Sequence, residues 1–522
     1  MKCLFSSLVL LLTPVLSACA VDLDSLLMKS VGGERGLRIV TEMKSVYQSG
    51  TLRLNGIPGS YKLYHKTPHF FYMEADMGFF TIQQGYDGKI AWQRDINGHI
   101  KEISGFEKHQ MLSDIYLHSF SFVVDGRLPG GREYLGTFER NDTTFHRVAF
   151  YPMSRDTVEA YFDEEEGLLR FMVMHIDNVE ATLSVDDYRH DSGVPIAYHS
   201  LATVTGAPIT AETTLDSFAF DVPVDPAIFT ISTRQEKDFR FPDSKVQSTL
   251  EMRFANGHIY VPVAVNGGPI KWFILDSGAS TNLLEKAFAD SLGLAQAGAL
   301  AAAGIGGIAE VPLVVTDSIL VGDLALLGQV CGVLDLTMII RQSPFGDQFG
   351  GLIGHDFLSR FPVMVDFEAG SLTVFNPDGY VLPEGGREVP CRFTMGVPTV
   401  RAILDGIEGD YLIDLGNPFS LILHEQFVQD NEMERHLLDI SEDSATLGGV
   451  GGSVGVKTAT ADNFIVGDIA LADIAVTLSG TSSGLSGSGE LAGNIGTGLL
   501  QRFRVLFDYA GSRVILYESA EQ

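Results

Sequence analysis

The amino-acid sequence predicts a mainly β protein in which a curved antiparallel sheet with a couple of helices precedes two copies of one β unit. Three observations predict it. Alternating apolar and polar runs fill the first half, as in GTLRLNG, YKLYHK and HFFYMEA. Pairs such as Asp87-Gly88 and Asn97-Gly98 separate such runs, and these residues suit two-residue hairpin turns because they accept positive φ. The second half repeats itself in register, the mark of a duplicated unit.

At 522 residues the chain exceeds one ordinary core, so about two to four domains are expected. An apolar content of 45% and a charged content of 20% suit a folded globular protein. The formal charge of -30 excludes nucleic acid as a partner, because phosphate binding needs clustered Lys and Arg.

The start, MKCLFSSLVLLLTPVLSACAVD, reads as a secretory signal peptide over residues 1–20: one Lys, an apolar run from Leu4 to Leu16, then small residues. The run is too short for a comfortable membrane span, which needs about 20 apolar residues. Leu16-Ser17-Ala18-Cys19 resembles the bacterial lipobox, in which the cysteine is lipidated. Ala18-Cys19-Ala20 also fits an ordinary small-x-small cleavage site. The lipobox is preferred because cysteine is scarce here and Cys19 sits where a lipobox needs it. The expected location is the periplasm, with a lipid anchor holding the body at the envelope surface, at the outer membrane in preference to the inner.

Four cysteines occur, and only Cys331 and Cys391 lie in the body, as a bridge or as two buried thiols. No metal site is expected. His65 and His69 have a ligand-like spacing, but Pro68 lies between them in a segment that reads as strand and turn. No cofactor is implied.

Residues 21–241 open with helical periodicity in LDSLLMKS and RGLRIVTEMKSV and continue as hairpins. Further turns follow at Glu165-Glu166-Gly167 and Asp191-Ser192-Gly193. The runs GYDGKIAWQRDINGHIKEI and DYRHDSGVPIAYHS, with the opening helices, resemble the periplasmic lipoprotein-carrier fold, whose half-barrel encloses an apolar groove. The resemblance implies that fold and a lipid or acyl ligand, and names no catalytic residue. Trp92, Phe70 and Phe71 fit core packing better than groove lining.

After Pro242 the repeat begins. Gly351 to Phe367 reads GLIGHDFLSRFPVMVDF, and Gly493 to Tyr509 reads GNIGTGLLQRFRVLFDY. Upstream, LVGDLAL at Leu320 is echoed by IVGDIAL at Ile465, and WFILDSGAS aligns with DYLIDLGNP. Each copy therefore holds an apolar strand ending in Asp, a Gly-rich hairpin, and a strand running into an apolar-apolar-Gly turn.

This order resembles the aspartic peptidases of the pepsin and retropepsin superfamily, over roughly Leu250 to Tyr517. The resemblance implies a bilobal β fold, lobe 1 over 242–380 and lobe 2 over 381–522, with one catalytic aspartate from each: Asp276 and Asp414. It implies active-site support from Ser277, Gly278, Ser280, Ile353 and Gly354 in the first lobe, and from Gly416, Ile495 and Gly496 in the second. The flap hairpins would carry Gly304, Gly306 and Gly307, and Gly449, Gly451 and Gly452. The implied activity is endopeptidase cleavage of a polypeptide by a water activated between two carboxyls, which cannot both ionise easily at close range.

The second copy departs from the family pattern. Leu415 stands where the family has a hydroxyl, and Pro418 stands where the first copy has Ser280. In the family that serine hydrogen-bonds the catalytic carboxylate, so Asp276 is expected to ionise more readily and Asp414 to carry the proton, with Asn417 as an undecided substitute donor. The same departures favour a competing reading: an impaired peptide- or lipid-binding envelope protein using the same cleft.

Other strings fail on context. GVGGSVGVKT resembles a phosphate-binding loop, but Val456 separates its last Gly from Lys457-Thr458. Gly480-Thr481-Ser482-Ser483-Gly484 has a nucleophile-elbow spelling inside a Ser/Gly-rich run that reads as a loop. Asp366 and Asp508 recur as turn acids, whereas His355 has no evident counterpart in the second copy.

Overall fold

The computed structural model describes residues 21–518, apart from 154–155, 177–178, 191, 233–236, 244, 305–306, 442–444, 450–451, 482–486 and 488. The leader, with Cys19, lies outside the described residues, as do Gly306 and Gly451. The chain is mainly β, in large sheets built mostly from antiparallel strands. No described helix is long and apolar enough to cross a membrane.

The first half forms a 13-stranded antiparallel sheet among the described residues. Its strands pair in chain order in two runs, and the runs meet where Ser45–Leu54 pairs with Thr210–Phe220. Hairpins form at both Asx-Gly pairs, but through longer loops than two residues: Tyr86 faces Ala91 and Arg94 faces Ile100, and only the glycines take positive φ. Gly88 and Gly98 have φ of 94° and 79°, and the preceding acids close the turns. Asp87 accepts from the amides of Lys89 and Ile90, and Asp95 from those of Asn97 and His99.

Helices Leu23–Ser30 and Gly33–Glu42 occupy the two periodic segments, although the second stops at Glu42 because Ser45 already begins a strand. A third helix, Gly105–His118, is additional to the sequence expectation. The three pack on one face of the sheet: Leu26, Leu27 and Tyr116 against Val148, Phe150 and Phe162, Val40 against Ile196 and Leu215, and Met111 and Ile115 against Leu63 and Phe71. Successive strand residues point to opposite faces. Phe71 therefore meets the helices, while Tyr72 meets Trp92 and Phe229 behind the sheet. Trp92 Nε1 donates to the Phe229 carbonyl at 2.9 Å, so Trp92 and Phe71 are core, and Phe70 packs half-buried beside Trp92.

The second half has one sheet per copy and a third sheet between them. In that third sheet the equivalent strands Val363–Asp366 and Phe503–Asp508 pair antiparallel, with Val363 opposite Phe507. Asp366 and Asp508 close the following turns by accepting from the amides of Ala369 and Gly511, as turn acids. A single apolar core runs through both copies, from Ile259, Leu275 and Ile353 to Ile413, Leu415 and Ile495. Cys331 and Cys391 are free thiols.

The first half docks on the second at several places, two of them apart from the Asn97 turn. Ile57, Ala75, Met77 and Phe80 form one apolar cluster with Leu313 and Val330, joined by Leu300. The fit is close enough that a Cβ added to Gly298 would fall 2.4 Å from Ile57 Cδ1. The start of helix Gly105–His118 reaches the other copy, where Glu107 accepts from the Met395 amide and His109 pairs with Glu490 at 2.9 Å.

Candidate active site

Strand Lys271–Leu275 pairs in parallel with Phe349–Ile353, and Ile407–Ile413 pairs in the same way with Gly493–Ile495. Each pair continues one residue further. The amide of Asp276 donates to the Ile353 carbonyl at 2.8 Å, and that of Asp414 to the Ile495 carbonyl at 2.9 Å. Ile353 and Ile495 thus hold the two aspartates at matching heights. Gly354 and Gly496 follow, their amides bonded to Asn282 Oδ1 and the Ser420 carbonyl.

The two carboxyls hydrogen-bond each other across the junction between the copies, within one chain. The glycines after them permit this approach. A Cβ on Gly278 would lie 2.4 Å from Asp414 Oδ1, and one on Gly416 would lie 2.5 Å from Asp276 Oδ1. Each glycine amide donates to its own copy's aspartate, Gly278 to Asp276 at 2.8 Å and Gly416 to Asp414 at 2.9 Å, and the Gly416 amide also favours the charge of Asp276.

One hydroxyl links the two turns. Ser277 Oγ donates to the Ile413 carbonyl at 2.7 Å and accepts from the Leu415 amide at 2.9 Å. Leu415 cannot return the bonds, and its side chain is 0% exposed in the shared core. Half of the expected crosslink therefore persists, made entirely by the first copy.

The expected donors to the pair are corrected by the structure. Ser280 is exposed and makes no side-chain hydrogen bond to Asp276 among the described contacts, so the donor assumed for Asp276 is missing. Asp414 receives a different one: Asn494 Nδ2 donates to Asp414 Oδ2 at 2.8 Å. Burial and then the charge of Asp414 push Asp276 well above the ordinary carboxylate range. Burial pushes Asp414 up too, but the Asn494 bond pulls it back. Asp414 therefore has a buried side-chain donor, and Asp276 has no side-chain donor in the described contacts. Asn417 is not the substitute donor through its side chain, since its Oδ1 accepts from the Phe419 amide and its Nδ2 points to the Asn494 carbonyl.

Asn494 escaped the sequence reading because its strand was matched as apolar-apolar-Gly, although the aligned letters, GLIG against GNIG, carry the signal. His355 does have a counterpart, namely Thr497. His355 Nδ1 donates to the Gly396 carbonyl at 2.9 Å, while Thr497 Oγ1 donates to the Gly257 carbonyl at 2.5 Å, each tying the hairpin turn of the opposite copy. His355 is also 3.3 Å from Asp95 of the first half.

The Gly-rich hairpins are formed in both copies. Gly304 pairs with Gly307 at the end of Gln296–Gly304 and Gly307–Val321, and Gly449 with Gly452 at the end of Ala445–Gly449 and Gly452–Val466.

Residues 261–357 match a family model described as Aspartyl protease. Comparison with curated proteins gave no match. Among solved structures the chain is similar to an aspartic proteinase from Irpex lacteus, at 11% identity over 52% of this chain and 98% of that one, with a TM-score of 0.34. It is also similar to a putative outer membrane lipoprotein-sorting protein domain from Vibrio parahaemolyticus, at 10% identity over 40% of this chain and 97% of that one, TM-score 0.29. A DUF1329 family protein from Desulfovibrio piger is likewise similar, at 10% identity over 40% of this chain and 95% of that one, TM-score 0.28. The residues matched to that family model, 261–357, carry Asp276 and Gly354.

Proposed function

We propose that the protein is an aspartic-type endopeptidase whose catalytic residues are Asp276 and Asp414. The observation that carries this reading is the hydrogen-bonded contact of the two carboxyls on equivalent, glycine-bearing turns. Two buried carboxyls at that range share one proton. The ionised member takes a proton from water as the water oxygen bonds to the peptide carbonyl carbon, and the protonated member gives its proton to the carbonyl oxygen. When the resulting gem-diol collapses, the C–N bond breaks, the first carboxyl protonates the departing amine, and the second recovers its proton. The products are one acid and one amine, with both carboxyls returned to their starting states.

The competing reading of an impaired binding protein rested on Leu415 and Pro418. Ser277 keeps one half of the crosslink that Leu415 interrupts, and Asn494 gives Asp414 a side-chain donor in place of the one Pro418 cannot offer, which favours the enzyme. The substrate class is polypeptide, the site of action is the envelope through lipidated Cys19, and the lobes span 242–380 and 381–522. The first domain, residues 21–241, would offer a lipid or acyl ligand its apolar interior.

The test is incubation of the purified protein with an unbiased peptide library between about pH 3 and 7, read by mass spectrometry. Internal cleavage that a pepstatin-type inhibitor blocks, and that Asp276→Asn lacks, is expected. Absence of cleavage over the whole range, or equal cleavage by Asp276→Asn, overturns the reading.

A further inference from the structure

Asp414 is held by an amide that the first copy lacks. Asn494 sits in Gly493–Ile495 at the position that Leu352 occupies in Phe349–Ile353. Its Nδ2 donates to Asp414 Oδ2 at 2.8 Å, and its Oδ1 lies 2.8 Å from His424 Nε2. The three side chains are enclosed, with Asn494 3%, His424 1% and Asp414 8% exposed. A buried polar chain of this kind is costly unless each member is bonded, so its persistence in an apolar strand asks for a reason.

The chain has a direction. His424 Nδ1 has the Leu491 carbonyl nearby but closes no well-formed hydrogen bond, so the proton of the neutral ring belongs on the bonded Nε2. Burial pushes His424 down to about 4, and below that the imidazolium still carries a proton on Nε2. In either state the ring donates to Asn494 Oδ1. The amide oxygen must therefore face His424, and the NH2 group must face Asp414. Among the described contacts Asp276 has no such side-chain donor: Leu352 is apolar, Ser280 is exposed, and the amides of Gly278 and Gly416 favour its charge.

We propose that Asn494, oriented by His424, is a positioning residue that fixes the polarity of the pair: it keeps the negative charge on Asp414, which acts as base toward water, and leaves the proton on Asp276, which acts as acid toward the carbonyl oxygen. The assignment rests on the peptidase reading and deepens it. Among the described residues the pair also faces Tyr509, whose hydroxyl burial keeps neutral, with Cys391 behind it, a thiol pushed up to about 12 by burial. Neither carries charge in the working range, so the amide decides.

The test is the pH profile of kcat/KM for Asn494→Leu, which installs the first copy's residue, alongside Asn494→Leu/His424→Leu, which avoids leaving His424 unpaired if the single variant folds poorly. Loss of a donor raises the base, so the acid limb should move up by about one pH unit or more. kcat should fall roughly 10- to 100-fold with KM little changed. His424→Gln, which keeps a donor toward Asn494 Oδ1, should restore most of the wild-type profile relative to His424→Leu. An acid limb that stays in place overturns the assignment, whether the rate is retained or uniformly reduced. Since wild-type cleavage is established first with the peptide library, that result would leave the peptidase reading standing.

Discussion

Asn97 Nδ2 donates to Asp356 Oδ1 at 2.9 Å, joining the turn of a hairpin in the first domain to the segment behind Asp276. The same carboxamide pairs with the backbone of Val330, donating to its carbonyl at 2.9 Å and accepting from its amide at 2.8 Å. The other oxygen of Asp356 accepts from Thr281 Oγ1 and the Asn282 amide. Arg360, held by Asp238, closes the contact on the Asn97 carbonyl at 2.6 Å. The first domain is therefore braced against the loop that follows Asp276-Ser277-Gly278.

Replacing Asn97 by Ala should loosen this brace. It strips partners from the amide and carbonyl of Val330 and from Asp356, at roughly 1–3 kcal/mol for each buried group left unpaired. Thermal melting should fall, and peptide cleavage should fall with it. An unchanged melting temperature would show that the docking contact contributes nothing to stability.

Ser277→Ala should be more damaging to activity than its size suggests, because one hydroxyl makes both crosslinks between the turns. The Leu415 amide and the Ile413 carbonyl would lose their partner inside the core, again roughly 1–3 kcal/mol each. Ser277→Thr keeps the hydroxyl and should retain most activity. The check is kcat/KM and melting temperature of both variants; equal behaviour of Ala and Thr would contradict the crosslinking role.

A pH-dependent stability is expected from Asp114, on the helix Gly105–His118. Burial, and then the charge of Asp156, raise this carboxyl to about 7. The raised value means that the protonated form favours the fold. That contribution is fully present below the ordinary carboxylate value of about 4 and is lost as pH rises through 7. Asp114→Asn should therefore raise the melting temperature at pH 8, by roughly 2–5 °C, and change it little at pH 4. An equal effect at both values would contradict the assignment.

The leader leads to a chemical prediction: the mature protein should begin at an acylated Cys19, and Cys19→Ser should lose the acyl mass and the membrane association. Mass spectrometry of the mature N-terminus decides it, since an unmodified start at Val21 would contradict the lipoprotein expectation.

Much of the site was legible because the chain states it twice. Asp276, Gly278 and Gly354 find their equivalents in Asp414, Gly416 and Gly496, and the turn at Asn97-Gly98 follows from local backbone chemistry. What stayed hidden depends on distant partners. Asn97 meets Asp356 across 259 positions, and no local pattern marks a hairpin turn as a docking point. The donors to the carboxyl pair were misplaced because Ser280 was credited with a bond it does not make, while Asn494 looked like one more strand residue. Helix Gly105–His118 was missed because its buried Met111, Ile115 and Tyr116 crowd into its second half, leaving a polar opening that resembles a loop.

The central claim is that Asp276 and Asp414 of one chain form one catalytic pair. The most direct measurement is the specific activity of Asp276→Asn and Asp414→Asn, each alone, mixed together, and compared with wild type across a dilution series. The account predicts a loss of at least roughly 10²-fold in each variant, no recovery on mixing, and a wild-type specific activity independent of concentration. Full activity in Asp414→Asn, with wild-type activity that declines on dilution, would contradict it.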